Sequence, residues 1–129
     1  MHHGSCLCGA VSFSISAALN DPVACHCKQC RQQSGHYFAA AHAPEADVVF
    51  ANDEGLAWYR ASDSASRGFC RTCGSSLFWR SDKGGEIAIA LGALDEPTGL
   101  ELGRHVWVRS KGDYYRICDG LAQEQEFEG

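Results

Sequence analysis

The sequence lacks a long apolar run, an excess of basic residues and a leader-like start. No stretch approaches the roughly 18 consecutive apolar residues of a membrane-spanning helix, so we expect no membrane partner. The opening residues, MHHGSCLCGA, hold no basic segment followed by an apolar one, which favours a cytoplasmic protein over a secreted one. The formal net charge of -5 argues against nucleic acid as a partner. His2 and His3 are assigned no role.

Repeats, low-complexity tracts and linkers are also missing, and we therefore predict a single domain over residues 1–129. The hydrophobic content of 45% and the charged content of 21% are ordinary for a globular protein. A chain of this length buries roughly two-thirds of the surface that it exposes when unfolded. It can therefore form a hydrophobic core without depending on metal alone.

Short apolar runs separated by Gly, Pro, Ser and Asp predict a mainly β fold of roughly eight to ten strands. The strand-like runs are SCLCGAVSFSIS (5–16), PVACHC (22–27), HYFAAAHAP (36–44), DVVFA (47–51), AWYRAS (57–62), SSLFWRS (75–81), EIAIALGAL (86–94), HVWVRS (105–110) and YYRICDG (114–120). The stretch KQCRQQSG (28–35) predicts one short helix that ends at Gly35. For the alanines at 39–41, an extension of helix is the alternative to a strand.

Eight cysteines stand out in a chain of 129 residues, and their spacing indicates metal binding. They form the motifs CxC, CxCxxC and CxxC, with Cys118 alone near the C-terminal end. Such closely spaced pairs bring thiolates to one point, whereas disulfide frameworks spread their cysteines along the chain. We therefore predict zinc sites rather than disulfides.

Grouping the cysteines by motif predicts two zinc ions per chain. If cysteines of one motif bind the same metal and no site exceeds four thiolates, the first and third motifs complete a tetrahedral structural site. This set, the four-thiol cluster, consists of Cys6, Cys8, Cys70 and Cys73. The three-thiol cluster, Cys25, Cys27 and Cys30, keeps an open fourth position unless Cys118 or a histidine fills it.

Two residues beside the three-thiol cluster are candidates for contact with substrate. His26 lies between two predicted ligands, and alternation along extended backbone points its side chain away from a metal that both neighbours bind. It is therefore a supporting or substrate-facing residue. Arg31 is the best-placed partner for a substrate carboxylate.

The remaining polar candidates are assigned ordinary structural roles. His36, His42 and His105 are interpreted as surface or core residues, and Arg71 and Arg80 as surface residues. Cys118, in the strand-like run 114–120, is interpreted as a small buried apolar residue.

A zinc ion with three thiolates carries a local charge of about -1 and is a weak Lewis acid for activating water. A soft fourth ligand, such as a small-molecule thiol held as thiolate, suits this site better. The chemistry that follows is addition of sulfur to a carbonyl group, or the reverse reaction. A small thiol such as glutathione and a small aldehyde would be the partners in such a reaction.

Five segments of the sequence resemble, in order, the glutathione-dependent formaldehyde-activating enzyme (GFA) family, which includes centromere protein V. They are GSCLCGAVSF (4–13), CHCKQCRQQSG (25–35), FCRTCGSSLFW (69–79), LGALDEP (91–97) and HVWVRSK (105–111). The resemblance implies a zinc-binding β-tent fold of the Mss type, with a structural zinc at the four-thiol cluster. It also implies a catalytic zinc at the three-thiol cluster, glutathione and formaldehyde as substrates, and a carbon–sulfur lyase that forms or cleaves S-hydroxymethylglutathione.

Two other functions use the same residues. In the first, the open zinc binds glutathione or another thiol as a carrier without catalysis. In the second, both zinc sites are closed and the domain is a structural or interaction module, which requires Cys118 or a histidine at the three-thiol cluster.

Overall fold

The computed structural model describes residues 1–128 and contains eleven strands, one α-helix and three short 3-10 helices. The strands are β1 (His2–Ser5), β2 (Ser12–Ile15), β3 (Asn20–Cys25), β4 (Phe38–Pro44), β5 (Val48–Asn52), β6 (Leu56–Arg60), β7 (Ala65–Cys70), β8 (Ser76–Ser81), β9 (Glu86–Ala90), β10 (Arg104–Val106) and β11 (Ala122–Gln123). The helix α1 spans Lys28–Ser34, and the 3-10 turns span Glu45–Asp47, Leu91–Ala93 and Val108–Ser110. The prediction of a mainly β, tent-type fold with one short helix is confirmed. No helix in residues 1–128 has the length and apolar character needed to cross a membrane.

The strands form two sheets of unequal size. The smaller has the order β1-β2-β5, and the larger has the order β11-β10-β3-β4-β9-β8-β7-β6. The pairs of β10 with β3 and with β11 are parallel, whereas the other pairs within the sheets are antiparallel. The parallel pair places Val106 opposite Cys25, so the end of β10 reaches the three-thiol cluster.

Alternation along β4 divides the molecule into a packed core and a site. Ala41 and Ala43 belong to the main core, where they pack with Phe13 and Ile15 of the smaller sheet. Phe38 and Ala40 belong to a second cluster that includes Cys30 of α1. Because successive side chains of a strand point to opposite faces, the large sheet has one face on the core and the other toward the three-thiol cluster.

The helix begins and ends where the sequence predicts. Cys27 is the N-cap, and its Sγ accepts a hydrogen bond of 3.3 Å from the backbone N–H of Cys30. Gly35 ends the helix with a φ of 89°, a left-handed conformation that glycine adopts without steric penalty. The segment CHCKQC is therefore a strand end followed at once by the first turn of a helix.

Several sequence expectations are corrected. The run 114–120 forms no strand; Tyr114 and Tyr115 instead pack against His36 with tilted and edge-on rings, so side-chain packing replaces a backbone ladder. The alanines at 39–41 lie in β4, where pairing with β3 and β9 overrides their helix propensity. The run 5–16 holds the last residue of β1, a turn over residues 6–11 and then β2. Strand β7 was missed because its Arg-Gly centre is atypical of strands.

Candidate metal centres and the adjoining cavity

The four-thiol cluster joins two turns that are distant in sequence. The Sγ atoms of Cys6, Cys8, Cys70 and Cys73 all lie within 4.8 Å of one another, a spacing that can hold one metal ion. Cys6 and Cys8 lie between β1 and β2, whereas Cys70 ends β7 and Cys73 lies in the turn before β8. The structure therefore brings together the four cysteines that the sequence grouped.

Backbone donors and a close glycine shape this cluster. The N–H of Val11 donates to Sγ of Cys6 at 3.3 Å, as expected of a sulfur that carries negative charge. Gly55 lies so close that a Cβ there would stand 2.9 Å from Sγ of Cys70 and 2.7 Å from Cβ of Ala10. The segment that contains Gly55 is the third part of the chain at this cluster, and it has no room for a side chain at this position.

The three-thiol cluster is built by the end of β3 and the start of α1. The Sγ atoms of Cys25, Cys27 and Cys30 lie within 4.8 Å of one another, and no further Cys, His, Asp or Glu among residues 1–128 joins them as a fourth ligand. Cys30 is buried, and the other two are half-buried. This geometry matches a metal site with one position left for an external ligand.

Arg67 is the closest cation to this cluster. It is only 3% exposed, its Nη2 donates to Sγ of Cys30 at 3.1 Å, and its Nε donates to Oε1 of Gln29 at 2.8 Å. A buried charge of this kind needs a partner of opposite sign, and the thiolates provide it. Arg67 therefore offsets the negative charge that three thiolates would retain after binding a divalent ion.

The close contact between the three thiols gives them different pKa values. Hydrogen bonds from Cys25 and Cys30 lower the pKa of the Cys27 thiol, and the charge of Arg67 acts in the same direction. The pKa of Cys25 is raised, because its thiol donates to Cys27 and Cys30 and its burial disfavours the thiolate. One of the three thiols is therefore readily ionised, and a bound cation is needed to keep all three as thiolates.

A cavity of about 360 Å³ opens beside the three-thiol cluster on the same face of the large sheet. Its wall follows the register of the strands, because Arg67 pairs with Trp79, Trp79 with Ala88, and Ala88 with His42. The lining side chains are Val23, Cys25, Cys27, Cys30, Phe38, Ala40, His42, Arg67, Trp79, Ala88, Val106, Trp107 and Phe127.

His42, interpreted from sequence as an ordinary residue, lines this cavity. Its Nδ1 lies 3.1 Å from the backbone oxygen of Asp21. Since a carbonyl oxygen only accepts, Nδ1 carries the hydrogen. This hydrogen bond fixes the orientation of the His42 ring at the cavity wall.

His26 lies away from the cavity in a buried hydrogen-bonded chain. Its Nδ1 contacts the hydroxyl of Tyr115, its Nε2 lies 2.8 Å from Nδ1 of His105, and Nε2 of His105 lies 2.7 Å from Asp119. Burial lowers the pKa of His26 to about 4, so the ring is neutral at neutral pH. The chain ties the strand end that carries Cys25 and Cys27 to the segment after β10.

Arg31 and Cys118 lie outside the cavity lining and outside both thiol clusters. Arg31 does not line the cavity, and its Nε is buried without a hydrogen-bond partner in the described chain. Cys118 is exposed in an irregular segment, which corrects its interpretation as a buried strand residue. Arg67, which was not predicted from the sequence, donates to one of the thiols. A clue was present in ASRGFC, where a charged residue falls at an inward position of an alternating strand.

The comparison with family models agrees with the architecture. The glutathione-dependent formaldehyde-activating enzyme family matches residues 1–110. The chain belongs to this family. The match to the GFA family includes both thiol clusters and every strand except β11, whereas Phe127 of the cavity wall lies beyond it.

Two relatives extend the comparison. A protein of Schizosaccharomyces pombe (strain 972 / ATCC 24843) named as an uncharacterized lyase is 32% identical over 85 residues, which cover 64% of this chain and 60% of the relative. The match therefore spans less than two-thirds of that protein's length. A crystal structure of a Rhodobacter sphaeroides protein aligns with a TM-score of 0.61 and 28% identity, covering 77% of this chain and 90% of the other.

Proposed function

We propose that this GFA-family chain is a zinc-dependent carbon–sulfur lyase. It would form or cleave the adduct between glutathione, or a related thiol, and a small aldehyde such as formaldehyde. The observation that supports this most directly is the three-thiol cluster, which opens on a cavity and has no fourth ligand among residues 1–128. The family match and the lyase name of the yeast relative support the same class of reaction.

The donor atoms of both clusters fit zinc. Three or four sulfur atoms within 4.8 Å of one another form the soft ligand set that zinc accepts in tetrahedral sites. Cys25, Cys27 and Cys30 would hold the ion of the reaction site, and the four-thiol cluster would hold a structural ion. When bound at the open site, zinc supplies a soft Lewis acid at which an external thiol is held as thiolate.

Arg67 is placed to assist the carbonyl group. Its Nη1 makes no hydrogen bond within residues 1–128, while Nε and Nη2 are fixed by Gln29 and Cys30. In the forward reaction, the thiolate sulfur adds to the carbonyl carbon and forms the carbon–sulfur bond. The carbonyl electron pair moves to the oxygen, which then takes a proton from water. A guanidinium fixed beside the reacting oxygen stabilises the charge that develops there. Cleavage runs through the same steps in reverse.

The apolar wall of the cavity strengthens this interaction. Phe38 and Trp79 line the space beside Arg67, so this side of the cavity offers few polar groups. The attraction between a guanidinium and a developing alkoxide is larger in such surroundings than in bulk water. The cavity therefore provides both a binding site and a suitable electrostatic environment.

Metal content and turnover of Cys27→Ala test this function. We expect two zinc ions per chain in the wild type and one in the variant, together with loss of accelerated exchange between formaldehyde and its glutathione adduct, measured by NMR. Cys118→Ala is the matched control, because Cys118 is exposed and separate from both clusters; it should keep both ions and full turnover.

The result also separates enzyme from carrier. A wild type that binds thiol without raising the exchange rate above that of the protein-free mixture would be a carrier. Full turnover in Cys27→Ala would show that the three-thiol cluster is not the site of the reaction. Loss of the second zinc in Cys118→Ala would instead support the closed, structural alternative.

A further inference from the structure

We propose that the thiol substrate of this chain carries an apolar or aromatic group on its sulfur-bearing carbon and has no carboxylate. This inference rests on the proposed function and narrows its substrate from glutathione to a related, apolar thiol. It follows from the lining of the cavity beside the three-thiol cluster, because the substituent on a sulfur held at that cluster must occupy this space.

The cavity wall is mainly apolar. Eight of its thirteen lining side chains are aliphatic or aromatic, and the aromatic ones are Phe38, Trp79, Trp107 and Phe127. Besides the three cysteines, the polar lining consists of His42 and Arg67. Surfaces of this composition bind flat or apolar groups, since removing such groups from water is favourable.

Cations that could receive carboxylates are already engaged. Glutathione carries two carboxylates, and each needs a positive or hydrogen-bonding partner when it leaves water. Arg67, the one cation that lines the cavity in the described chain, donates through Nε and Nη2 to Gln29 and Cys30, and its remaining Nη1 is the group that the proposed reaction uses for the carbonyl oxygen. Arg104, which lies over the ring of Phe127 at the wall, is bound at 2.8 Å to both Asp21 and Glu124.

The cavity runs along β4, away from the three-thiol cluster. Cys25 pairs with Phe38, and the cavity continues along the same face of β4 through Ala40 to His42. Four residues of strand correspond to roughly 13 Å. A thiol with its sulfur at the cluster would therefore lie along small and aromatic side chains, with the ring of Trp79 at its side.

One part of this wall lies outside the family match. Phe127 follows β11, and the segment is held along β10 by bonds such as that from the N–H of Val108 to the oxygen of Glu124, at 3.1 Å. The GFA match ends at residue 110, so Phe127 is the one residue of this wall that the match does not cover. The preference for an apolar thiol is inferred for this chain and leaves the family's chemistry unchanged.

Calorimetric titration of the zinc-loaded protein with benzyl mercaptan and with glutathione tests the inference. We expect benzyl mercaptan to bind at least about tenfold more tightly. Trp79→Ala should lower the affinity for benzyl mercaptan by about tenfold and change the affinity for glutathione by less than about twofold. The reason is that the Trp79 ring contacts only an apolar substituent. Trp58→Ala is the matched control, since Trp58 stacks on Phe78 and does not line the cavity.

A second pair of variants removes exposed rings and so preserves the fold. Phe127 is 54% exposed and lines the cavity, whereas Tyr59 is 59% exposed and does not. Phe127→Ala should weaken benzyl mercaptan severalfold, and Tyr59→Ala should leave its affinity unchanged. Equal effects in the two variants would contradict the inference.

The outcomes also separate this inference from the proposed function. Tighter binding of glutathione, with turnover of its formaldehyde adduct, would overturn the apolar substrate and leave the lyase function standing. Tight, Trp79-dependent binding of benzyl mercaptan without accelerated chemistry would support the cavity's preference and count against the lyase. If neither thiol bound, the inference that the substrate is an apolar thiol would be wrong.

Discussion

Arg67 and Cys30 are joined by a hydrogen bond of 3.1 Å from Nη2 to Sγ, although they are 37 residues apart in sequence. Both residues are buried, and β7 and α1 carry them to the same point. A guanidinium in this position offsets the negative charge of a three-thiolate metal site. The reaction site therefore includes a positive group that no cysteine motif contains.

Arg67→Met should weaken metal binding at the three-thiol cluster. The variant keeps the bulk of the side chain but removes its charge and its donors, which leaves the thiolates less compensated. Loss of such a supporting contact lowers metal affinity by roughly 10- to 100-fold. Competition with a chromophoric chelator measures the change in affinity. Arg71→Met, beside the four-thiol cluster and exposed, should leave both zinc affinities unchanged.

Ala40→Leu should block the cavity without disturbing the metal. Ala40 lines the cavity, so a larger side chain there fills empty space and competes with substrate. We expect thiol affinity to fall by at least about tenfold by calorimetry, with two zinc ions retained. Normal affinity in this variant would show that the substrate binds elsewhere.

The neighbouring residue provides the control for this change. Ala41 is completely buried in the main core between the sheets. Leucine there has no space, and Ala41→Leu should lower the free energy of unfolding by about 1–3 kcal/mol. Thermal melts of the two variants should therefore differ, although the substitution is the same.

Cys73→Ala should destabilise the fold more than Cys27→Ala does. The four-thiol cluster connects Cys8 and Cys70, which lie 62 residues apart, so its metal closes a long loop. The three-thiol cluster closes only six residues. We expect the melting temperature to fall by roughly 10 °C or more in Cys73→Ala and by less in Cys27→Ala. Equal melting temperatures would argue against a structural role for the four-thiol cluster.

Glu124→Gln should make the stability less dependent on pH under acidic conditions. The pKa of Glu124 is lowered by Arg104 and by the backbone N–H of Glu128. The contribution of the ionised pair is complete above the ordinary pKa of glutamate and is lost as the pH falls through the lowered value. Urea unfolding of wild type and variant should differ at pH 7 and converge in stronger acid.

A neighbouring ion pair provides the control for the acid dependence. Glu126 pairs with Arg109, and both side chains are more than half exposed. Exposed pairs of this kind contribute little to stability. Glu126→Gln should therefore follow the wild-type dependence on pH, and a profile like that of Glu124→Gln would contradict the assignment to the Arg104 pair.

The sequence predicted the features that depend on local spacing. The cysteine motifs separated four thiols from three, because the sulfurs of cysteines two and three positions apart converge wherever the chain turns. The structure brings the same sets together. The stop of α1 at Gly35 was predictable because glycine adopts the left-handed conformation that ends a helix. Alternating apolar residues likewise predicted a mainly β fold.

Tertiary structure alone decided what surrounds the three-thiol cluster. Arg31, next to the motif, was predicted to meet a substrate carboxylate, whereas the contact with the thiols themselves comes from Arg67 of β7. Phe38, Trp79 and Phe127 share one cavity because the order and register of the strands bring distant segments to one face. Local patterns specify which residues alternate along a strand and leave open which strand lies beside another. Metal chemistry could therefore be predicted from the sequence of this protein, whereas the charge and apolar character of its site required the fold.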